Sequence, residues 1–146
     1  MKIKVVGILL ALIPLSINCS LAQVKKAQHR PVSGTSVLRG KIVYTSVCLP
    51  CHMADGGGVQ NLNPPLVKTS YVLGDKTTLI KIVLNGFNED VEINGNTYSN
   101  AMTPHDDLKD QQIADVLTYV RSSFGNKASA VKATEVAKVR ATNKKA

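Results

Sequence analysis

The stretch TSVCLPCHMAD, residues 45–55, determines which kind of fold this chain can form. It holds Cys48 and Cys51, separated by two residues, and His52 follows directly. The chain has only 3 cysteines, so this one cluster uses two of them. Two thiols and an imidazole at this spacing indicate a bound group rather than ordinary core packing.

Three interpretations of the cluster compete. A thioredoxin-like redox site needs the motif at the start of a helix in a βαβ unit, but here a helical pattern precedes it and glycines 56–58 follow. A zinc site needs four ligands, and the other histidines, His29 and His105, are distant and unpaired in the sequence. Covalent haem attachment uses all three residues, because the thiols reach two vinyl groups of one porphyrin and the imidazole reaches the iron. The cluster therefore predicts one covalently bound haem.

The first residues have the pattern of an export signal. Lys2 and Lys4 precede an apolar run over residues 5–17 that is short for a bilayer span, and small residues follow at 20–22. We expect cleavage after Ala22, so that residues 1–22 are a signal peptide and the mature protein is periplasmic. A retained membrane anchor is the alternative.

Cys19 leaves a further alternative open. A cysteine that ends an apolar run can be lipidated, but the usual lipobox has Leu three positions before it and a small residue directly before it. Ser16 and Asn18 stand at those positions here. We expect Cys19 to leave with the leader, and a lipidated, membrane-tethered product is the alternative.

The net charge of +8 resides in the ends of the chain. Residues 37–125 carry seven basic and nine acidic side chains, whereas residues 23–36 and 126–146 are basic. A nucleic-acid-binding domain needs a basic face with aromatic side chains, and only 4% of the residues are aromatic. The charge pattern predicts one domain, 37–125, between a basic linker, 23–36, and a basic C-terminal extension, 126–146, with both ends acting as solvated spacers.

Apolar periodicity and capping residues predict a mostly helical domain. We expect one helix from Ser36 into the cluster, one from Asp75 to Gly86, and one over residues 113–120 that ends by Gly125. Asn94-Gly95 suits the type I′ turn of a small hairpin over residues 91–98. The predicted fold class is all-α, with three to four short helices around the haem and a β-hairpin insertion. With so few aromatic residues, the haem would fill much of the core.

A haem iron held by His52 invites a second protein ligand from a distant segment. Removal of the leader leaves two methionines, and Met53 adjoins His52 too closely to reach the other face of the ring. Met102 is followed by Thr103-Pro104, which holds the chain in a rigid extended turn. We expect Met102 to be the distal ligand, with His105 as the alternative.

Together these residues resemble the class I monohaem cytochromes c over residues 37–125. Gly40 and Tyr44 stand ahead of the cluster, Tyr119 stands on the last predicted helix, and NPPL and AMTPH match two loops of that family. The resemblance implies a close helix crossing at Gly40 and a hydrogen bond from the His52 ring to the carbonyl of Pro64. The haem-binding residues expected from the motif and the resemblance are Cys48, Cys51, His52, Pro64 and Met102, with His52 and Met102 on the iron.

The resemblance also implies a function and a class of partner. The hairpin EINGNTY, the stretch YVLGDK and the C-terminal GNKAS and VAKVRA segments are similar to small cytochrome c domains beside or fused to periplasmic quinoprotein-type sugar and alcohol dehydrogenases. We expect an electron carrier rather than an enzyme, which takes electrons from such a dehydrogenase and passes them to an oxidase or another cytochrome. Alternatives are a tethered or permanent subunit of a larger dehydrogenase or oxidase complex, and a haem peroxidase, which would need an open iron site.

Overall fold

A computed structural model describes residues 34–143 of the chain. The predicted signal peptide (1–22), Cys19 and nearly all of the predicted linker (23–36) lie outside the described residues. Within residues 34–143, no helix is long and apolar enough to cross a membrane. The elements in chain order are α1 (Gly34–Val43), a π-helical turn (Tyr44–Cys48), α2 (Leu49–His52), α3 (Ser70–Leu73), α4 (Lys76–Asn85), β1 (Val91–Ile93), β2 (Asn96–Tyr98), α5 (Asp110–Ser122) and α6 (Ala133–Thr142).

The two terminal helices of the predicted domain, α1 and α5, cross at Gly40. A side-chain carbon on Gly40 would overlap the carbonyl oxygen of Asp115, so a glycine is needed for the backbones to approach this closely. Arg39 donates to both carboxylate oxygens of Asp115, at 2.6 and 2.9 Å, beside the crossing. The rings of Tyr44 and Tyr119 pack with their centroids 5.3 Å apart. The crossing that the resemblance implied is present.

Local signals predict α4 and the hairpin correctly but misplace the start of α1. A carboxylate oxygen of Asp75 accepts from the backbone N–H of Thr78 at 2.7 Å, which caps α4. Strands β1 and β2 pair antiparallel around Asn94 and Gly95, whose positive φ angles of 52° and 77° suit a type I′ turn. Helix α1 is described from Gly34, so Ser36 lies inside the helix and does not cap it, and its hydroxyl accepts from Arg39 at 3.3 Å.

The C-terminal extension is not the solvated spacer that its charge suggested. Val131, Val136 and Val139 are buried in the same core as α4 and α5. The hydroxyl of Thr118 on α5 accepts from the backbone N–H of Val131 at 3.0 Å and donates to its carbonyl at 3.1 Å. The prediction was wrong because a count of charges does not show where the apolar residues lie. Val136 and Val139 are three residues apart, so they share one face of the helix.

Candidate functional site

The C-x-x-C-H cluster lies on one helical turn. Cys48 ends the π-helical turn, and Cys51 and His52 lie three and four residues further along, in α2, so all three project from one side of the helix. Cys48 is half-buried, Cys51 is exposed and His52 is buried. The chain leaves the helix sharply at Met53, which has φ 64° and ψ 166°, and the Met53 carbonyl accepts from the Tyr44 hydroxyl at 2.6 Å.

The cluster opens into a cavity of about 400 Å³. This volume is typical of sites that bind a small molecule or cofactor. Much of the remaining wall is apolar and comes from α4, α5, the hairpin and the loops between these elements. The predicted site residues Cys48, Cys51, His52, Pro64 and Met102 all line this cavity, as does His105.

The orientation of the His52 ring is determined by Pro64. Nδ1 of His52 lies 2.9 Å from the carbonyl oxygen of Pro64. A carbonyl can only accept, so Nδ1 carries the proton and donates, which leaves Nε2 with a lone pair for a metal ion. Burial lowers the pKa of His52, although the Pro64 contact opposes this effect, and the ring is therefore neutral at pH 7. The hydrogen bond implied by the resemblance is present in the structure.

The two thiols are chemically unlinked. Cys48 and Cys51 are both free cysteines, so the described residues contain no disulfide at the motif. Burial, and to a lesser extent the neighbouring Cys51, raises the pKa of the Cys48 thiol to about 11. Within residues 34–143, no group of three or more His, Cys, Asp or Glu side chains could hold a metal ion. The zinc interpretation therefore has no ligand set in the part of the chain that the structure describes.

The backbone fixes the position of Met102. Its N–H donates to the carbonyl of Phe87 at 2.7 Å, and the N–H of Phe87 donates to its carbonyl at 3.0 Å. Gly86, with φ 75°, lies against this pair, and a side-chain carbon there would overlap the Met102 carbonyl oxygen. His105 is half-buried and is anchored separately, through its N–H to the carbonyl of Val83 at 2.8 Å. Both predicted candidates for the distal ligand thus reach the cavity wall.

Sequence reasoning missed several polar residues in the cavity wall. Tyr98, on the inward face of the hairpin, is only 7% exposed. Asn100 donates to the side chain of Asn63 at 2.7 Å, and this pair joins the hairpin loop to the loop that carries Pro64. Alternate residues of a strand face the same side, and this rule could have placed Ile93 and Tyr98 on the buried face of the hairpin. The Asn pair had no such signal, because its members are 37 residues apart.

A family model for cytochrome c matches residues 37–124. The chain belongs to the cytochrome c family. Members of this family carry haem c bound covalently through two thioethers, and the pair Cys48 and Cys51 has the required spacing. The structure fits that group: two free thiols and an oriented, neutral imidazole face a largely apolar cavity.

The relatives of this cytochrome are of two kinds. It is 36% identical over 113 residues to the cytochrome c subunit of the quinone alcohol dehydrogenase of Gluconacetobacter polyoxogenes, covering 74% of this chain and 24% of that subunit. It is 36% identical over 121 residues to the gluconate 2-dehydrogenase cytochrome c subunit of Pantoea cypripedii, covering 81% and 27%. It is 34% identical over 112 residues to cytochrome c-552 of Thermus thermophilus, covering 70% and 84%. The chain thus spans about a quarter of the dehydrogenase subunits and most of cytochrome c-552.

Proposed function

We propose that this cytochrome c is a periplasmic carrier of single electrons, with a dehydrogenase as donor and an oxidase or another cytochrome as acceptor. Bound haem would supply a reversible one-electron ferric–ferrous couple. The observation that supports the carrier role most is that Met102, held by two backbone hydrogen bonds, lines the same cavity as His52. Met102 and His52 would together hold the iron, which would leave no place on the metal for a substrate.

The protein's own residues would then set the potential and exclude water. The Pro64 carbonyl holds His52 in the tautomer that presents Nε2 to the cavity. The apolar side chains Leu79, Val83, Val116 and Leu117 line the cavity and disfavour the extra positive charge of ferric iron. Together with thioether ligation, this environment favours the reduced state and a positive potential. No catalytic residue is proposed.

Charge is segregated in a way that suits partner docking. Two segments that form much of the cavity wall, 50–67 and 86–107, contain no Lys or Arg. They carry Asp55, Glu89, Asp90, Glu92, Asp106 and Asp107. Arg140 is folded back onto this side, where its guanidinium donates to the carbonyl of Asp106 at 2.9 Å. The acidic side at the cavity is therefore the part that carries Asp55, Glu89, Asp90 and Glu92. We propose that this side faces a basic surface of the redox partner, because complementary charge orients proteins as they approach.

A permanent subunit is the second candidate, and one specific observation favours it. Leu38 and Ile42, one turn apart on α1, are 66% and 71% exposed. Exposed apolar side chains of this size are often covered in a stable complex. Several relatives are cytochrome subunits of dehydrogenases, and this chain matches only a part of each. In this alternative, the cytochrome would stay bound to its dehydrogenase instead of diffusing between partners.

The carrier proposal can be tested by electron exchange with small redox complexes. The reduced holoprotein is oxidised in a stopped-flow instrument by cationic tris-phenanthroline cobalt(III) or by anionic ferricyanide. Between about 10 mM and 150 mM salt the screening length falls from about 30 Å to about 8 Å, so the rate should fall for the cation and rise for the anion. Slow exchange with both complexes, together with ready carbon monoxide binding, would favour a haem enzyme.

Two pairs of substitutions distinguish the effect of the acidic side on the exchange rate from the effect of net charge. Changing Glu89 and Asp90 to Gln and Asn should weaken the salt dependence with the cation. Changing Lys132 and Lys138 to Gln, two exposed residues of the C-terminal extension, changes the net charge by the same magnitude in the opposite direction and should leave that dependence nearly unaltered. Effects of equal size and opposite sign for the two pairs would show that net charge, and not the acidic side, governs the approach.

A further inference from the structure

Asn126 is a buried polar residue that the family match does not include. It is 3% exposed and lies two residues beyond the end of the matched segment, 37–124. Two successive residues with positive φ, Phe124 at 56° and Gly125 at 75°, reverse the chain after α5. This reversal brings Asn126 back beneath the loop that follows Pro64. A buried amide requires hydrogen-bond partners, and those of Asn126 are specific.

All polar groups of the Asn126 side chain bond to backbone. Its Oδ1 accepts from the N–H of Lys68 at 2.7 Å, and its Nδ2 donates to the carbonyl of Leu66 at 2.9 Å. Nδ2 also donates its other hydrogen to the carbonyl of Val120, on α5, at 2.7 Å. One side chain thus joins the rigid end of α5 to two points of the segment 66–68. Lys68 has φ 52°, a conformation that a lysine adopts only where its surroundings hold it.

The segment that Asn126 holds leads directly to the proximal side of the haem site. Leu66 is two residues from Pro64, whose carbonyl accepts from Nδ1 of His52. The intervening residue is Pro65, which stiffens the connection. The opposite edge of the segment is held by the N–H of Leu66, which donates to the carbonyl of Gly56 at 2.7 Å. On the other side of Pro64, Asn63 and Val59 exchange two backbone hydrogen bonds of 2.9 Å. Asn126 therefore holds the C-terminal side of Pro64, and without it Leu66 would keep the bond to Gly56 and the Pro64 carbonyl would be positioned less firmly against the His52 ring.

We propose that Asn126 is a positioning residue for the His52–Pro64 hydrogen bond and thereby for the reduction potential of the haem. The proposal rests on His52 as the proximal ligand. A stronger hydrogen bond at Nδ1 makes the imidazole a better electron donor, which stabilises ferric iron and lowers the potential. Asn126 acts at a distance, by fixing the backbone of the segment 66–68, and does not touch the haem ligand itself.

The test compares Asn126→Leu with Thr118→Val in the holoprotein. Both changes remove buried hydrogen bonds near the end of α5, but the Thr118 hydroxyl bonds to Val131 and makes no hydrogen bond to residues 64–68. Two quantities are measured: the exchange rate of the His52 Nδ1 proton by NMR of the ferrous protein, and the potential by redox titration. Asn126→Leu should accelerate proton exchange by tenfold or more and raise the potential. Thr118→Val should lower thermal stability and leave both quantities close to those of the wild type.

A milder variant keeps the test decisive if Asn126→Leu does not fold. Asn126→Ser retains a small polar group but is too short to bridge Leu66 and Lys68, so it should shift both quantities in the same direction. Equal changes in the Asn126 and Thr118 variants, or no change in either, would show that Asn126 is only a structural anchor. If the wild type lacks a protected Nδ1 proton on a haem-bound His52, the proximal assignment fails, and this proposal fails with it.

Discussion

The backbones of Phe87 and Met102 exchange two hydrogen bonds, of 3.0 and 2.7 Å, across a loop of 14 intervening residues that contains the hairpin. Phe87 lies two residues beyond the end of α4 at Asn85, so the pair ties the segment that holds Met102 to that helix. The point from which the Met102 side chain enters the cavity is therefore set by the backbone. The proposed role of Met102 as the distal ligand can therefore be tested by changing Met102 itself or Gly86, which lies against the pair.

Replacing Met102 with Ala should open the sixth position of the iron. The holoprotein should then bind carbon monoxide, lose the charge-transfer band at the red end of the ferric spectrum, and have a lower potential, because the thioether that favours ferrous iron is gone. Optical titration with carbon monoxide checks this directly. His105→Ala is the control, since His105 lines the same cavity, and it should change none of these properties. The reverse pattern would make His105 the ligand.

Replacing Gly86 with Ala should disturb the Met102 loop. A methyl group there would overlap the carbonyl oxygen of Met102, and it would also force Ala into positive φ. Gly95→Ala shares the positive φ, 77° against 75°, but has no atom within 4 Å of the new carbon. Gly86 also has ψ −170°, a backbone region that is almost restricted to glycine, and this adds to the cost of the change there. We expect Gly95→Ala to cost about 1 kcal/mol of unfolding free energy and Gly86→Ala about 3 kcal/mol, with a weakened Met–iron band in Gly86→Ala alone. Denaturant unfolding and the ferric spectrum measure both effects.

Replacing Val136 with Ala tests whether the C-terminal extension is part of the core. Val136 is 0% exposed, so loss of two methyl groups should cost about 2 kcal/mol of unfolding free energy. Lys138→Ala, an exposed site on the same helix, should change the free energy by less than about 0.5 kcal/mol. If a urea titration shows that neither change alters the free energy of unfolding, the extension is only a spacer.

The cap of α4 should make stability depend on acid. Hydrogen bonds from the backbone and hydroxyl of Thr78 lower the pKa of Asp75 below its usual 3.8. A depressed folded-state pKa adds stability that is present above the unfolded value and is lost as the pH falls through the folded value. Thermal unfolding of Asp75→Asn should therefore lose less stability than the wild type between pH 5 and pH 2. Asn still caps the helix, so the two proteins should share the same secondary structure.

The mass of the mature protein tests the predicted processing. Intact-mass and N-terminal peptide measurements on protein from its native host should find Gln23 as the first residue and one covalently bound haem. Cleavage before Cys19 with an added lipid would favour the tethered alternative, and a mass that includes residues 1–22 would favour a retained anchor. Either result would contradict the proposal of a freely diffusing periplasmic carrier.

Features that depend on neighbouring residues were predictable from the sequence. The attachment cluster, the capped helix α4 and the Asn-Gly hairpin are each specified within a few residues, and the resemblance added the crossing at Gly40 and the Pro64 contact. The apolar pattern of α1 was less informative. Around the helix from Val43, Ile42 lies at about 100° and Leu38 at about 140°, so neither shares its buried face, and both are exposed.

Features that depend on distant contacts were not predictable. The role of Asn126 depends on its hydrogen bonds to the backbone of Leu66 and Lys68, about 60 positions earlier in the chain. Nothing in the sequence near Asn126 indicates these partners. The burial of Val136 likewise depends on α4 and α5, while its own segment is rich in lysine. In both cases tertiary packing overrode the solvated character of the local composition.

The folding of the C-terminal extension onto the core has a consequence for maturation. Residues 126–142 are synthesised some 75 residues after Cys51, yet they contribute Val131, Val136 and Val139 to the core and Asn126 to the loop beneath His52. Contacts so far apart in sequence form late, because the chain between them must first be ordered. Docking of the extension therefore comes after the attachment cluster has formed, and it completes the site by fixing the loop whose Pro64 carbonyl orients His52. Cys51 stays exposed after docking.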